Sequence, residues 1–206
     1  MSGRLVVLEG GEACGKSTQA SLLAPRLGAV LTREPGGTEI GERIRDLVLE
    51  PASGELHART EALLMAAARA QHVAEVVAPT LATGRDVVSD RFVGSSLAYQ
   101  GCGRGLPIDD VASLSRFATA GLVADLVVLL DLPPALALAR QGGAQPDRLE
   151  AAGEAFHRRV ADGFIALAAD DPQHWVLVDA TGSPEMVAER VWAVVSTRLA
   201  PCPSRP

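Results

Sequence analysis

Aromatic residues are scarce in this chain of 206 residues, at 3% of the sequence. Because apolar residues still reach 48%, the core must be built mainly from Leu, Val and Ala. Cysteine is equally sparse. Cys14, Cys102 and Cys202 are scattered and odd in number, so they fit neither a metal-ligand motif nor a disulfide framework. This usage is typical of a reducing compartment, and we expect a cytoplasmic protein.

Long apolar runs and an excess of positive charge are also lacking. No stretch reaches the ~18 apolar residues of a membrane-spanning helix. The apolar start Leu5–Leu8 is too short for a signal peptide. The net charge of −6 argues against a broad nucleic-acid surface. We therefore expect small-molecule substrates, with neither a nucleic-acid nor a membrane partner.

A phosphate-binding loop is present near the start of the chain. Residues 10–17 read Gly-Gly-Glu-Ala-Cys-Gly-Lys-Ser, the pattern G-x-x-x-x-G-K-[ST], between the apolar run Leu5–Leu8 and a helical pattern at Thr18–Leu27. In such a loop the backbone N–H groups surround a phosphate, the lysine reaches the β- and γ-phosphates, and the hydroxyl binds Mg²⁺. The predicted ATP-binding residues here are Gly10, Gly11, Glu12, Ala13, Cys14, Gly15, Lys16, Ser17 and Thr18.

The rest of the chain alternates strands with helices. After Leu5–Leu8, strands are predicted at Ala29–Thr32, Asp86–Ser89, Leu126–Asp131 and Trp175–Asp179. Further helices are predicted at Ile40–Leu49, His57–Leu81, Ile108–Thr119, from Pro133-Pro134, Glu150–Ala169, and Pro184–Leu199 with Ser183 as N-cap. This alternation predicts an α/β fold with three α/β/α layers and a five-stranded parallel sheet. We expect one domain over residues 1–200, a disordered tail at 201–206, and a site beyond the carboxyl ends of the strands.

Two further segments carry candidate substrate contacts. Thr32-Arg33-Glu34-Pro35-Gly36-Gly37-Thr38 follows the second strand, and its Pro-Gly-Gly turn lets the backbone approach a ligand closely. Asp90-Arg91-Phe92-Val93-Gly94-Ser95-Ser96-Leu97-Ala98-Tyr99-Gln100-Gly101 follows the third. Its Ser96 and Gln100 are four residues apart, so a helical turn presents a hydroxyl and an amide that can bind a pyrimidine edge.

These segments, together with the phosphate-binding loop, resemble those of bacterial thymidylate kinases, which are nucleoside monophosphate kinases. The resemblance runs from Leu5 to at least Val160. It implies a P-loop kinase fold with a mobile lid at about residues 140–149, and phosphoryl transfer from ATP to dTMP with Mg²⁺. It also implies a homodimer, for which the apolar helices at His57–Leu81 and Ile108–Thr119 are the candidate interface.

The resemblance also implies roles for single residues. Lys16, Glu34 and Arg91 match catalytic positions, and Ser17 and Asp90 match the metal site. The positions that match dTMP-binding residues are Glu12, Glu34, Arg45, Met65, Arg69, Arg91, Ser96 and Gln100, with Arg33 as a weaker match near the monophosphate. Arg69 corresponds to the arginine that hydrogen-bonds thymine, and Glu12 to an acidic contact of the 3′-hydroxyl.

Two features depart from the family pattern. Met65 stands where an aromatic residue, mostly Phe, stacks on the base; it either packs on the base less rigidly or belongs to the core. The phosphate-binding loop holds no arginine, so a catalytic arginine must come from the lid, where Arg148 matches the family motif best and Arg140 is the other candidate. Arg140 is also a predicted ATP contact.

Other readings remain open at this stage. The acceptor could be dUMP, a purine monophosphate or a nucleoside, although the arginines favour a monophosphate. A nucleotide-dependent switch is the rival from another class, but the sequence has no Asn-Lys-x-Asp guanine motif. Cys14 lies near a helix N-terminus, where thiols tend to be reactive, so we expect its alkylation to block ATP binding.

Overall fold

A computed structural model describes residues 2–140 and 146–199. Its sheet has five parallel strands in the order β2-β3-β1-β4-β5. They are β1 (Leu5–Glu9), β2 (Val30–Arg33), β3 (Val87–Asp90), β4 (Leu126–Asp131) and β5 (Trp175–Asp179). The predicted parallel α/β sheet is confirmed, and β2 and β3 each lie one residue later than expected.

Both faces of the sheet are covered because β1 and β4 are apolar at every position before their last residues, Glu9 and Asp131. In β1, Val6 and Leu8 pack with helices from one side, whereas Leu5 and Val7 belong to a cluster on the other side. β4 alternates in the same way, so successive side chains enter opposite layers of the core. This arrangement gives the three predicted layers.

Nine α-helices surround the sheet in the described part of the chain. They are α1 (Lys16–Leu27), α2 (Glu39–Leu49), α3 (Ala58–His72), α4 (Ala78–Ala82), α5 (Val93–Ser96), α6 (Ile108–Ala118), α7 (Pro134–Arg140), α8 (Glu154–Asp170) and α9 (Pro184–Arg198). Ser183 caps α9 as predicted, since its side chain accepts from the Met186 N–H. None of the helices described is long and apolar enough to cross a membrane.

Three helix predictions need correction. The helix predicted at His57–Leu81 is interrupted by a π-helical turn at Val73–Val77, where the Ala78 N–H donates to the Val73 carbonyl. Pro79 follows, and it has no N–H for the regular hydrogen-bond pattern of an α-helix. The helix predicted from Glu150 begins at Glu154, because Gly153 has a φ of 89° and separates it from a short 3₁₀ turn. The segment after β3 is more helical than expected, as α5 continues into a π-helix at Leu97–Gly103.

Candidate active site

The phosphate-binding loop joins β1 to α1 at the carboxyl edge of the sheet. Gly10 has a φ of 143°, and a Cβ there would lie 2.7 Å from the Leu130 carbonyl oxygen, so this position requires glycine. No side chain of the described residues caps Gly15 at the start of α1, which leaves the first N–H groups available to an anion. The Lys16 ammonium lies over the loop and donates to the Gly11 carbonyl at 2.6 Å.

Ser17 and Asp90 meet where the phosphate-binding loop faces the end of β3. The Ser17 hydroxyl donates to Asp90 Oδ2. Asp90 Oδ1 is buried and has no hydrogen-bond partner within residues 2–140 and 146–199. Those residues contain no group of three His, Cys, Asp or Glu side chains able to hold a metal. One hydroxyl and one carboxylate with a spare oxygen fit Mg²⁺, which takes most of its ligands from phosphates and water.

Arg91 joins the phosphate-binding loop to the helical segment that follows β3. Its guanidinium donates to the Gly10 carbonyl at 3.1 Å and to Glu12 Oε1 at 2.8 Å. The Tyr99 hydroxyl also donates to Glu12. Burial alone would raise the pKa of Glu12, but the charges of Arg91 and Lys16 outweigh it and lower that pKa to about 2. Glu12 is therefore an anion at neutral pH, held in place by two donors.

Glu9 orients the start of the helical segment that follows β3. It is fully buried at the end of β1, and its carboxylate accepts from the backbone N–H groups of Phe92 and Ser95, both at 2.9 Å, and from the Ser95 hydroxyl at 2.6 Å. Burial raises the pKa of Glu9, and these hydrogen bonds oppose the rise. Glu9 thus caps the start of α5 and fixes the direction in which Arg91 and Tyr99 leave the sheet.

Arg69 is the centre of a second polar cluster, deeper in the site. Its Nε donates to Glu34 Oε2 at 2.7 Å, and its Nη2 donates to the Ser96 hydroxyl and the Phe92 carbonyl, both at 3.0 Å. The other oxygen of Glu34 accepts from His72 Nδ1 at 2.9 Å. Arg69 and Glu34 are both buried, so a lost contact here would leave an uncompensated charge.

A single cavity of about 400 Å³ joins these clusters. The predicted site residues that line it are Glu12, Ala13, Gly15, Lys16, Ser17, Thr18, Arg33, Glu34, Arg45, Met65, Arg69, Asp90, Arg91, Ser96, Gln100 and Arg140. The cavity is thus lined both by the phosphate-binding loop and by the buried cluster around Arg69.

Comparison with known proteins identifies the family. The thymidylate kinase family model matches residues 8–191. The chain belongs to the thymidylate kinase family. It is 50% identical to the thymidylate kinase of Synechococcus sp. (strain JA-3-3Ab), covering 98% of this chain and 99% of that relative. Identity to the Deinococcus radiodurans thymidylate kinase is 48%, covering 95% of this chain and 98% of the relative. The crystal structure of the Ehrlichia chaffeensis thymidylate kinase matches with a TM-score of 0.79 at 26% identity, over 95% of this chain and all of that one.

In this member of the thymidylate kinase family, the arginines predicted near the monophosphate differ in how exposed their side chains are. Arg33 is half-exposed and pairs with Glu42 at 2.9 Å. Arg45 is more enclosed and donates to the Pro35 carbonyl at 2.9 Å. Burial, with the charge of Arg33, lowers the pKa of Arg45. Among residues 2–140 and 146–199 Arg45 forms no ion pair, and a nearby phosphate would supply an anion to its guanidinium.

Of the two candidate lid arginines, only Arg140 lies at the cavity. It donates to the carbonyls of Ala180 and Gly182, at 3.1 and 3.3 Å, and lines both the main cavity and a smaller one of about 250 Å³ beside α1. Residues 141–145 of the predicted lid, like the predicted tail 201–206, lie outside the described residues.

Arg148 is a correction to the sequence-based prediction. Instead of facing the phosphate-binding loop, its guanidinium pairs with Glu61 at 2.6 Å and donates to the Val48 carbonyl at 2.7 Å. It is not among the described residues that line the cavity. The reason is electrostatic, because Glu61 is a fully buried carboxylate that needs cationic partners.

Cys14, in the phosphate-binding loop, is another residue whose surroundings the sequence did not predict. Its side chain is buried in the apolar cluster beneath the loop, beside Leu8, Ala20 and Leu130. Cys14 also lines the smaller cavity beside α1, and Lys16 Nζ donates to its sulfur at 3.5 Å. That alkylation of Cys14 blocks ATP binding stays a prediction.

Four residues of the site were missed by sequence reasoning: Glu9, Glu61, His72 and Tyr99. Each is polar and buried, and each bonds to groups at least 38 residues away in the chain, such as Glu34 for His72 and Glu12 for Tyr99. A signal existed for three of them. Glu9 ends an otherwise apolar strand, and Glu61 and His72 lie on the same helical face as Arg69.

Proposed function

We propose that this chain transfers the γ-phosphoryl group of ATP to dTMP, giving ADP and dTDP. One observation carries the proposal beyond family membership. The same cavity is lined by Lys16 and Ser17 of the phosphate-binding loop and by Arg69, Ser96 and Gln100 at the opposite end. A donor nucleotide on the loop and an acceptor monophosphate thus fit into one space, with their phosphates between them.

The chemistry requires positioning and charge neutralisation. The attacking oxygen of a monophosphate is already an anion, so no general base is needed. We assign Lys16 to the β- and γ-phosphates, and Arg45 and Arg91 to the acceptor phosphate. Arg140 lines the cavity together with Gly15 and Lys16 of the loop, and we assign it to the ATP side.

Ser17 and Asp90 would hold the Mg²⁺ that accompanies ATP. The spare, buried Oδ1 of Asp90 supports this assignment because a carboxylate oxygen without a donor suits a hydrated cation. The ion would neutralise charge on the β- and γ-phosphates when bound. Asp90 itself would orient the ion's water shell.

Base recognition is assigned to the opposite end of the cavity. Arg69, Ser96 and Gln100 provide polar contacts, and Met65 supplies an apolar surface from the same helical face. Met65 is also part of the core cluster around Tyr99 and Phe156, and we propose that it packs both there and on the base. Glu34 acts through Arg69, because both of its oxygens are already engaged.

We further propose a cytoplasmic homodimer. The free thiols of Cys14 and Cys102 fit a reducing compartment. Leu63 on α3 is 58% exposed and Phe117 on α6 is 85% exposed, and α3 packs against α6. Large apolar side chains exposed on adjoining helices are typical of a subunit interface.

A coupled ADP-release assay tests the reaction. We expect strong turnover with dTMP, weaker turnover with dUMP, and little with dCMP, dGMP or no acceptor. Lys16→Ala is the control for the loop and should lower the rate by about a hundredfold or more. ADP release that does not depend on an acceptor would contradict the proposal and favour a nucleotide-dependent switch.

A further inference from the structure

Glu61 is the most fully engaged carboxylate at the base end of the cavity. It lies in the first turn of α3 and is completely buried. Oε1 accepts from Gln100 Nε2 at 3.0 Å and from Arg104 Nε at 3.2 Å. Oε2 accepts from Arg104 Nη2 at 3.1 Å and from Arg148 Nη2 at 2.6 Å. Three side chains from two segments of the chain, the π-helix that Arg104 ends and the region of Arg148, thus converge on one anion.

This carboxylate can only accept hydrogen bonds. Burial by itself would raise the pKa of Glu61, but the hydrogen bonds from Arg104, Gln100 and Arg148 outweigh it and lower the pKa below its usual value. An ionised carboxylate has no proton to donate. The Gln100 amide must therefore turn its NH₂ group towards Glu61, which decides its orientation between the two that an amide can adopt.

The orientation of Gln100 determines what it offers to a ligand. Gln100 lines the cavity, and within the described residues its Oε1 has no hydrogen-bond partner. Its oxygen is thus the atom of the amide left to interact with a substrate, as an acceptor. One helical turn earlier, Ser96 accepts from Arg69, whose guanidinium carries only donors. An acceptor therefore stands beside a donor at this end of the cavity.

This pair distinguishes the pyrimidines. Thymine and uracil present an N3–H donor beside the O4 acceptor, whereas cytosine presents an unprotonated N3 beside an amino donor. The fixed oxygen of Gln100 suits the first pattern and opposes the lone pair on cytosine N3. Unpaired or opposed polar groups in a buried site discriminate more strongly than missing apolar contacts.

We infer that Glu61 is a positioning residue for base selection: it holds Gln100 with its carbonyl oxygen towards the cavity, so that the site selects thymine or uracil over cytosine. The inference rests on the proposed function, since it presumes that a nucleoside monophosphate binds with its base at this end. Arg104 and Arg148 keep the Glu61 carboxylate ionised and fixed. Arg148 thereby has a structural reason to be held away from the phosphate-binding loop.

Glu61→Gln is the direct test, because the new amide has the same shape but can donate to Gln100 and let it turn. We would compare kcat/KM for dTMP, dUMP and dCMP in the wild type and the variant. The preference for dTMP over dCMP should fall by about tenfold, the value of one hydrogen bond. The preference for dTMP over dUMP should stay the same, because these bases differ only in a methyl group that Gln100 does not contact.

A loss of stability alone would not lower the preference for dTMP over dCMP while leaving the preference for dTMP over dUMP unchanged. Arg159→Met is the matched control: it removes two hydrogen bonds to the Gly103 carbonyl, in the same helical segment as Gln100, but in the described structure Arg159 makes no hydrogen bond to Gln100 or Glu61. Both preferences should therefore be kept even if the protein melts earlier. If Glu61→Gln fails to fold, Glu61→Asp retains the charge for both arginines while shortening the reach to Gln100. It should then lose the preference over dCMP.

Calorimetric binding of the three monophosphates, without ATP, separates this inference from the proposed function. A wild-type protein that binds dTMP selectively but does not phosphorylate it contradicts the proposed function alone. Equal binding of dCMP and dTMP by the wild type overturns the inference. An unchanged preference in folded Glu61→Gln, or an equal loss in Arg159→Met, overturns it as well.

Discussion

Glu12 shows how a single residue depends on its neighbours at this site. Arg91 and Tyr99 both donate to Glu12, although the carboxylate lies largely out of water. The same burial raises the pKa of Tyr99 well above its usual value, and the anion of Glu12 adds to that rise. The hydroxyl therefore keeps its proton and remains a donor, so the Glu12 carboxylate stays fixed at the wall of the cavity.

The lowered pKa of Glu12 predicts acid sensitivity of the fold. Its folded-state pKa of about 2 lies below the ordinary 4.5, so ionisation stabilises the native state above pH 4.5 and this stabilisation is lost as the pH falls towards 2. The difference corresponds to roughly 3 kcal/mol. Chemical denaturation of wild type and Glu12→Gln from pH 7 to pH 3 should show the two free energies of unfolding converging at low pH.

A constant gap between these two proteins across that range would contradict the shift. Glu154 provides the control for general acid effects, because its side chain is 86% exposed in the first turn of α8 and forms only a surface ion pair with Arg158. The stability difference between wild type and Glu154→Gln should be small throughout.

At the scale of elements, α3 carries much of the substrate end of the site. Glu61, Met65, Arg69 and His72 follow one another at intervals of four, four and three residues, so they share one face of the helix, and all are buried. His72 connects this face to β2 and its turn: Nδ1 donates to Glu34, and Nε2 shares a hydrogen bond with the Thr32 hydroxyl at 2.6 Å. These two hydrogen bonds attach α3 to β2 and to the turn after it, whose Pro35 carbonyl accepts from Arg45.

Two substitutions of His72 separate its two contacts. The amide nitrogen of Asn can occupy the position of Nδ1, whereas that of Gln corresponds to Nε2. His72→Asn should keep the bond to Glu34 and retain a KM for dTMP close to the wild type. His72→Gln should lose it and raise that KM by about tenfold. Steady-state kinetics with each substrate varied in turn measures both effects.

The KM for ATP is the internal control, because His72 has no contact with the phosphate-binding loop in the described structure. If both variants raise the two KM values equally, His72 contributes only to overall packing. If the two variants cannot be told apart with dTMP, the bond to Glu34 is not what positions Arg69.

For the whole molecule, the exposed apolar residues of α3 and α6 argue for association with a second copy. Phe117 is 85% exposed, and a phenyl ring so placed on a monomer would remain in water. Phe117→Glu should therefore convert a dimer to a monomer, as measured by size-exclusion chromatography with light scattering. Leu138→Glu is the matched control, since Leu138 on α7 is 73% exposed and outside this face. A monomeric wild type, or dimers of both variants, would contradict the proposed interface.

Local patterns were sufficient to predict much of this architecture. Strands such as Leu126–Asp131 were located correctly because a strand buried on both faces is a continuous apolar run. The phosphate-binding loop was recognised because its glycines, lysine and serine are adjacent in the chain. Helix bounds were wrong where the backbone of a single residue ends the regular helix. Pro79 has no N–H to donate, and Gly153 has a positive φ.

The sequence by itself determined the α/β sheet, the loop and the family of this chain, since each depends on residues close together or on motifs read in order. Only the tertiary structure decided which charges meet. Arg148 matches a lid motif, yet it pairs with Glu61, 87 residues away, because a buried anion attracts the cations that folding brings within reach. His72 and Tyr99 became part of the site in the same way. Their partners are set by the strand order, which places β2, β3 and β1 side by side, and no local pattern encodes that order.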